Sequence, residues 1–171
     1  LPDRTTITRI HALISALLVV LIASILEAAP AFANNTFPGT VIAGSNGTFT
    51  GTNVGATGEA GEPATFGGGS LNTMWYSWTA PAAGVVVIGT CNPTASTTTN
   101  FDTTLGVYTG AAVNALTVVG TNDDTTGCNS TVNANYGSTV SFTAVSGTTY
   151  RFQVDGYASN TGTFHLHYGL V

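Results

Sequence analysis

The sequence predicts an all-β fold, an antiparallel two-sheet β-sandwich, on three observations. From Asn34 onward, short apolar runs alternate with clusters of Gly, Asn, Asp, Ser and Thr at spacings of about ten residues, as expected of many short strands joined by turns. The clearest runs alternate apolar and polar residues with a period of two, which places one face in a core and the other in water. No segment past residue 34 sustains the apolar period of a helix.

The strands follow in order. Val41–Ala43, Gly47–Gly51, Asn72–Thr79, Val85–Thr90, Thr104–Tyr108 and Leu116–Thr121 are short β-prone runs bounded by turn residues. The pattern sharpens toward the C-terminus. In Ser138–Ala144, Val140 and Phe142 share a face. In Thr149–Asp155, Tyr150, Phe152 and Val154 point one way, while Arg151, Gln153 and Asp155 point to the wet side. In Thr163–Tyr168, Phe164, Leu166 and Tyr168 alternate with Thr163, His165 and His167. The intervening Ser146-Gly147 and Ser159-Asn160-Thr161-Gly162 are turn sequences. Eight or nine short strands close most simply as two packed sheets.

Ahead of the domain, residues 1–33 read as a secretory signal. Arg4 and Arg9 give a weakly basic start, an apolar run extends from Ile10 to Leu26, and Ala31 and Ala33 form an A-x-A cleavage site. A retained transmembrane helix is the competing reading. The run of about 17 residues meets only the lower limit for crossing about 30 Å of hydrocarbon, and no positive stop-transfer cluster follows it. The expectation is a hydrophobic signal helix over 1–33, removed on export, then one domain over 34–171. It has no stable membrane span after cleavage and is secreted to the extracellular space or cell surface.

Charge narrows the partners. The chain has no Lys, and after residue 33 Arg151 is the only cation, against Glu59, Glu62, Asp102, Asp123, Asp124 and Asp155. Nucleic acid is excluded, because phosphate backbones are bound through Lys and Arg that release counterions. An anionic membrane face is disfavoured for the same reason. The two cysteines, Cys91 and Cys128, allow one intrachain pairing, and export favours it. The disulfide would close a loop of about 36 residues, worth up to roughly 4 kcal/mol, and pin the Asn92–Gly127 excursion to the sandwich.

The segments Asn53–Pro63 (NVGATGEAGEP), Met74–Pro81 (MWYSWTAP), Phe101–Gly110 (FDTTLGVYTG), Asn122-Asp123-Asp124, Gly147–Tyr157 (GTTYRFQVDGY) and Gly162–Leu166 (GTFHL) resemble, as an ordered set, the bacterial pre-peptidase C-terminal (PPC) family. The resemblance spans about residue 34 to 168. It implies a jelly-roll β-sandwich of the kind appended to secreted peptidases and found in many exported multidomain proteins. Thr65 departs from the pattern, standing where relatives often carry His two residues after the Glu-Pro.

Glu62, Asp102, Asp123 and Asp124 lie in loops or at strand ends beside Gly, Asn and Thr, with no Lys to neutralise them. A hard cation such as Ca²⁺ takes six to eight oxygens from such groups. The resemblance points the same way, since sandwiches of this general kind can hold Ca²⁺ between loops. The four acids are therefore candidate metal ligands, with Glu59 and Asp155 weaker candidates. The alternative is that each caps a turn by accepting backbone N–H bonds.

No catalytic residues are assigned. There is no G-x-S-x-G elbow, and Gly67-Gly68-Gly69 leads into no helix or Lys and is not a phosphate loop. His165 and His167 share one side of a strand at a spacing that can hold a transition metal, but read as polar residues of the wet face. Trp75, Tyr76 and Trp78 are expected mostly in the core. Tyr108, Tyr136 and Tyr157, at strand ends or in loops, are better placed for exposed contacts. These readings favour a non-catalytic binding or accessory domain of the cell exterior, contacting polysaccharide, protein or matrix and stabilised by Ca²⁺. The alternatives are a self-associating structural subunit, or piece of a larger surface protein, and a hydrolase using cryptic carboxylates such as Asp102 with Asp123 or Asp124.

Overall fold

The computed structural model describes residues 34–66, 72–91, 99–128 and 136–171. Residues 1–33, expected to be a signal helix, and the Gly67-Gly68-Gly69 run lie outside them. Each expected strand forms, shifted by at most two residues at either end: β1 (Thr40–Ile42), β2 (Asn46–Thr52), β3 (Met74–Thr79), β4 (Gly84–Gly89), β5 (Thr103–Thr109), β6 (Thr117–Asn122), β7 (Thr139–Ala144), β8 (Thr149–Gly156) and β9 (Thr163–Leu170). The described helical elements are two three-residue 3-10 turns, Val113–Ala115 and Tyr157–Ser159.

The strands make a two-sheet sandwich. One sheet runs β1-β3-β8-β5-β6 and the other β2-β9-β4-β7. All pairings are antiparallel except β1 with β3, which is parallel. A parallel neighbour needs a long crossover. Here β2, in the opposite sheet, and the connection over residues 53–73 supply it. Among the described strands, only β5 and β6 are both consecutive in the chain and paired with each other.

The period-two alternation translates directly into the core. Met74, Tyr76 and Trp78 of β3, Leu105 and Val107 of β5, and Tyr150, Phe152 and Val154 of β8 face Val86, Ile88, Val140, Phe142, Phe164, Leu166 and Tyr168 of the other sheet. Trp78 is the hub, with the rings of Tyr150, Phe152 and Tyr168 centred 6.0, 6.2 and 5.9 Å away. Its indole N–H donates to the Gly44 carbonyl at 2.9 Å, and the Tyr168 hydroxyl donates to that of Ala43 at 2.7 Å. The polar atoms of these buried rings are thereby satisfied, and the β1–β2 turn is fixed to the core.

The outward face of the five-stranded sheet departs from expectation. Gln153 and Asp155, read as wet, are fully buried, and so is Tyr108, read as exposed. Trp75 is buried on this face and not in the central core. The cause is tertiary: residues 34–39 and 53–66 fold back over the sheet. Phe37 meets Trp75 edge-on at 5.2 Å, the Tyr108 hydroxyl donates to Gln153 Oε1 at 2.7 Å, and Gln153 Nε2 donates to the Pro63 carbonyl at 3.2 Å. Arg151, on the same face, lies over the Phe37 ring at 5.3 Å and donates to the Gly110 carbonyl at 3.2 Å and to Ser77 Oγ.

Cys91 and Cys128 are joined as expected, with their Cα atoms 5.0 Å apart. The bond links the end of β4 to the turn after β6. Gly137 runs alongside it so closely that an added Cβ would overlap the Cys128 sulfur. We therefore expect Gly137→Ala either to leave free thiols, read by thiol titration after unfolding, or to keep the bond and lose about 1–3 kcal/mol of stability in urea unfolding, the usual cost of overpacking.

Candidate metal centre

Two loops carry three carboxylates to one place. Asp102 directly precedes β5, between two anchored neighbours. Phe101 is buried against Phe164 with ring centres 6.4 Å apart, and the Thr103 amide donates to the Tyr136 carbonyl at 3.0 Å. Asp123 and Asp124 follow β6 in a turn shaped by Asn122. The Asn122 Oδ1 accepts from Thr125 Oγ1 and from the Thr139 amide, each at 2.9 Å, and its Nδ2 donates to the Asp124 carbonyl at 3.3 Å.

Buried hydroxyls clamp the two loops together. Ser138 Oγ donates to the Thr103 carbonyl at 2.6 Å and also meets the Asp123 carbonyl. Thr90 Oγ1 pairs with Thr103 Oγ1 at 2.7 Å and accepts from the Ser138 amide at 2.9 Å. A Thr or Ser hydroxyl both donates and accepts, so this network satisfies itself in a dry interior without charge.

With the loops so held, carboxylate oxygens of Asp102, Asp123 and Asp124 lie within 4.8 Å of one another. Asp102 and Asp123 are half-buried and Asp124 is exposed. One oxygen on each of Asp102 and Asp123 is buried without a hydrogen-bond partner, so those oxygens do not cap a turn. Burial, and then the charges of Asp123 and Asp124, push the Asp102 carboxyl up to about 6. Burial and Asp124 likewise raise Asp123. Arg151 is held on the outward face of the five-stranded sheet by Ser77, Gly110 and Phe37. The arrangement is a crowded oxygen-donor site of the kind that attracts a hard cation.

Glu62, the fourth candidate, is not in this group. It belongs to the covering segment 53–66, where its Oε1 accepts the Trp75 indole N–H at 2.6 Å and its Oε2 is buried without a hydrogen-bond partner. Burial raises its pKa, opposed by the Trp75 bond. Tyr108 is nearby, its hydroxyl pushed up to about 12 by burial and then by the charges of Glu62 and Asp155. Asp155 is an anchor, accepting from the amides of Asn72 at 2.9 Å and Gly156 at 2.8 Å and from Thr73 Oγ1 at 3.3 Å. Glu59 accepts from the Phe37 amide at 2.6 Å, and Thr65 accepts from Thr104 Oγ1 at 3.0 Å.

The two histidines turn toward opposite neighbours. His165 Nδ1 bonds Thr50 Oγ1 of β2 at 3.0 Å, while the His167 ring packs over Gly89 of β4, and burial lowers the His167 pKa. Tyr157 is 40% exposed, and its amide donates to the Asp102 carbonyl at 3.0 Å. It is the one tyrosine of the three that matches the expectation of open exposure, since Tyr136 is half-buried.

No family model matches this chain, and no curated protein matches it. Among solved structures, it is similar to the pre-peptidase C-terminal domain of a collagenase from Bacillus anthracis, at 17% identity and a TM-score of 0.45, covering 75% of this chain and 92% of that one. It is also similar to Aeromonas hydrophila PliG, a periplasmic inhibitor of g-type lysozyme, at 14% identity and a TM-score of 0.41, covering 77% of this chain and 96% of that one. Both are likenesses of fold, and the first carries the family name that the sequence motifs resemble.

The Glu62–Trp75 bond makes a separable prediction. Trp75→Phe leaves a buried carboxylate without its donor and should cost about 1–3 kcal/mol in urea unfolding at neutral pH. Glu62→Gln keeps an oxygen for the indole and removes the desolvated charge, so it should cost less than Trp75→Phe in the same measurement.

Proposed function

We propose that this chain is a secreted, non-catalytic binding module whose loop end is ordered by one Ca²⁺ ion held by Asp102, Asp123 and Asp124, and which contacts extracellular polysaccharide or protein there. The convergence of three uncompensated carboxylates carries this reading. Their donors are all oxygen, which suits Ca²⁺ or Mg²⁺ and not the softer metals that take imidazole or thiolate. Ca²⁺ tolerates the irregular, partly water-completed shell that two half-buried acids and one exposed acid would offer, whereas Mg²⁺ demands a near-ideal octahedron. Tyr157, exposed and hydrogen-bonded through its amide to the Asp102 backbone, gives the same end of the domain an aromatic contact surface.

The metal-free domain should show its strain in pH. The folded pKa of Asp102, about 6, lies above its ordinary value of 3.8. Its contribution is therefore most favourable below the ordinary value and is lost as pH rises through about 6. His167, with its lowered pKa, acts in the opposite sense, so the Asp102 part is read by difference. Without metal, Asp102→Asn should raise the melting temperature at pH 7.5 and change it little at pH 4.

Ca²⁺ should reverse the penalty by binding the ionised trio. We expect calorimetry to give a Kd of about 0.1–1 mM, typical of extracellular modules, and a weaker response to Mg²⁺. Asp123→Asn should weaken binding by about tenfold or more, because ligand charge sets affinity. Absence of heat and of any melting shift at millimolar Ca²⁺ would refute the metal. Absence of retention on any cell-surface glycan or protein fraction, with or without Ca²⁺, would refute the binding role.

The raised Asp102 beside Asp123 also fits a hydrolytic acid–base pair. That reading predicts turnover of glycan or ester substrates that Asp102→Asn abolishes. The binding reading predicts no turnover in the parent chain.

A further inference from the structure

The edges of the five-stranded sheet are β1 and β6, and those of the four-stranded sheet are β2 and β7. None of these four strands contains a charged residue or a proline. Outward N–H and C=O groups of an edge offer a template to any passing strand, and chains that stay apart usually block it with Lys, Pro or a cover. Among the described residues, no strand pairs with the outer side of β6. β6 also carries apolar surface, with Val118 59% exposed and Val119 exposed beside it.

The details of β6 make it complementary to itself. Its register with β5 shifts at Val107/Tyr108, so that Val119 is an extra residue. Val118 pairs with Tyr108 and Thr121 with Gly106, which puts both on the outward face. Thr121 lines a shallow hollow of about 170 Å³ with Ala64, Thr65 and Phe66.

We propose that β6 is a self-association edge, at which two copies of this chain pair their β6 strands antiparallel about a two-fold axis. Centring the axis between Val119 and Gly120 sets Val118 of each copy opposite Thr121 of the other. Each valine then covers the other copy's hollow, and the contact is isologous and closed. Charge permits the same register. Asp123 and Asp124 of one copy fall opposite Leu116 and Ala115 of the other. The two Asp123 residues stand about seven residues, roughly 23 Å, apart along the ladder. That is well beyond the screening length of about 8–10 Å in physiological salt. The bulge at Val119 would discourage a foreign strand. In the paired dimer it is what brings Val118 and Thr121 to one face.

The test is the mass of the chain, expressed with its own leader and purified as the cell processes it, by sedimentation equilibrium from micromolar to millimolar concentration. The expected result is a mass that climbs to twice the monomer's. Val118→Lys should weaken association by at least about tenfold, because a charge on an edge blocks pairing. Val41→Lys, at a position 76% exposed on the opposite edge of the same sheet, should leave association unchanged. At concentrations where the parent is monomeric, melting curves of both variants should match it, since neither side chain is buried. The double variant Val118→Cys/Thr121→Cys should cross-link into a covalent dimer on mild oxidation. A chain monomeric at every concentration, association indifferent to Val118→Lys, or no cross-link in the double variant would each overturn the proposal, the first leaving the edge to a strand from another protein.

Discussion

Gln153 and Asp155 stand on the outward side of β8, a strand already paired on both edges and committed on its inner side to the aromatic core. A polar group buried there without a partner would cost about 1–3 kcal/mol. The surrounding chain is arranged to supply partners. Tyr108 and Pro63 serve the Gln153 amide, and Asn72, Thr73 and Gly156 serve the Asp155 carboxylate. These bonds hold residues 53–66 and 72–73 down on the sheet, and the covering residues in turn bury Trp75, whose indole meets Glu62 from the same segment. The five-stranded sheet is therefore buried on two sides over β3, β8 and β5, in a domain whose composition suggests one interior.

That second interior is where sequence reasoning stopped. Alternation reports which residues share a face. It does not report whether a face meets water, because the covering segment is remote in the chain. The central core was legible because large apolar residues recur at every second position in β3, β8 and β9. Tyr108 and Gln153 were illegible as a buried pair, since neither residue type marks itself as interior. The carboxylates divided on the same ground. Asp102, Asp123 and Asp124 flank strands that pair with each other, β5 and β6, so chain position brings them together. Glu62 lies in the remote covering segment, and its carboxylate went to an indole instead. The cysteines were legible because two can pair in only one way.

The charge economy of the domain has one further effect. A chain with a single Lys or Arg past residue 33 cannot neutralise its acids there in more than one place, and Arg151 is spent on Ser77, Gly110 and Phe37. Interior polarity falls to hydroxyls and amides. The Thr90–Thr103–Ser138 cluster shows how far that goes, tying three strands and two loops without a formal charge. The aspartate trio is then the one place among the described residues where three carboxylates gather within 4.8 Å, and Arg151 is committed elsewhere.

The order in which the strands enter the sheets bears on how the chain reaches this state. Among the described strands, only β5 and β6 form a hairpin, and every other pairing joins distant segments. Folds dominated by such remote pairings gain their contacts late and mature slowly. β8, which joins β3 to β5, and β9, which joins β2 to β4, are also the last two described strands in sequence. A chain emerging from the ribosome N-terminus first can form the pairs β1–β3, β4–β7 and β5–β6, but it cannot join them into sheets until β8 and β9 have appeared. Such a topology delays its own compaction, and β2, whose one partner among the described strands is β9, waits longest for its place.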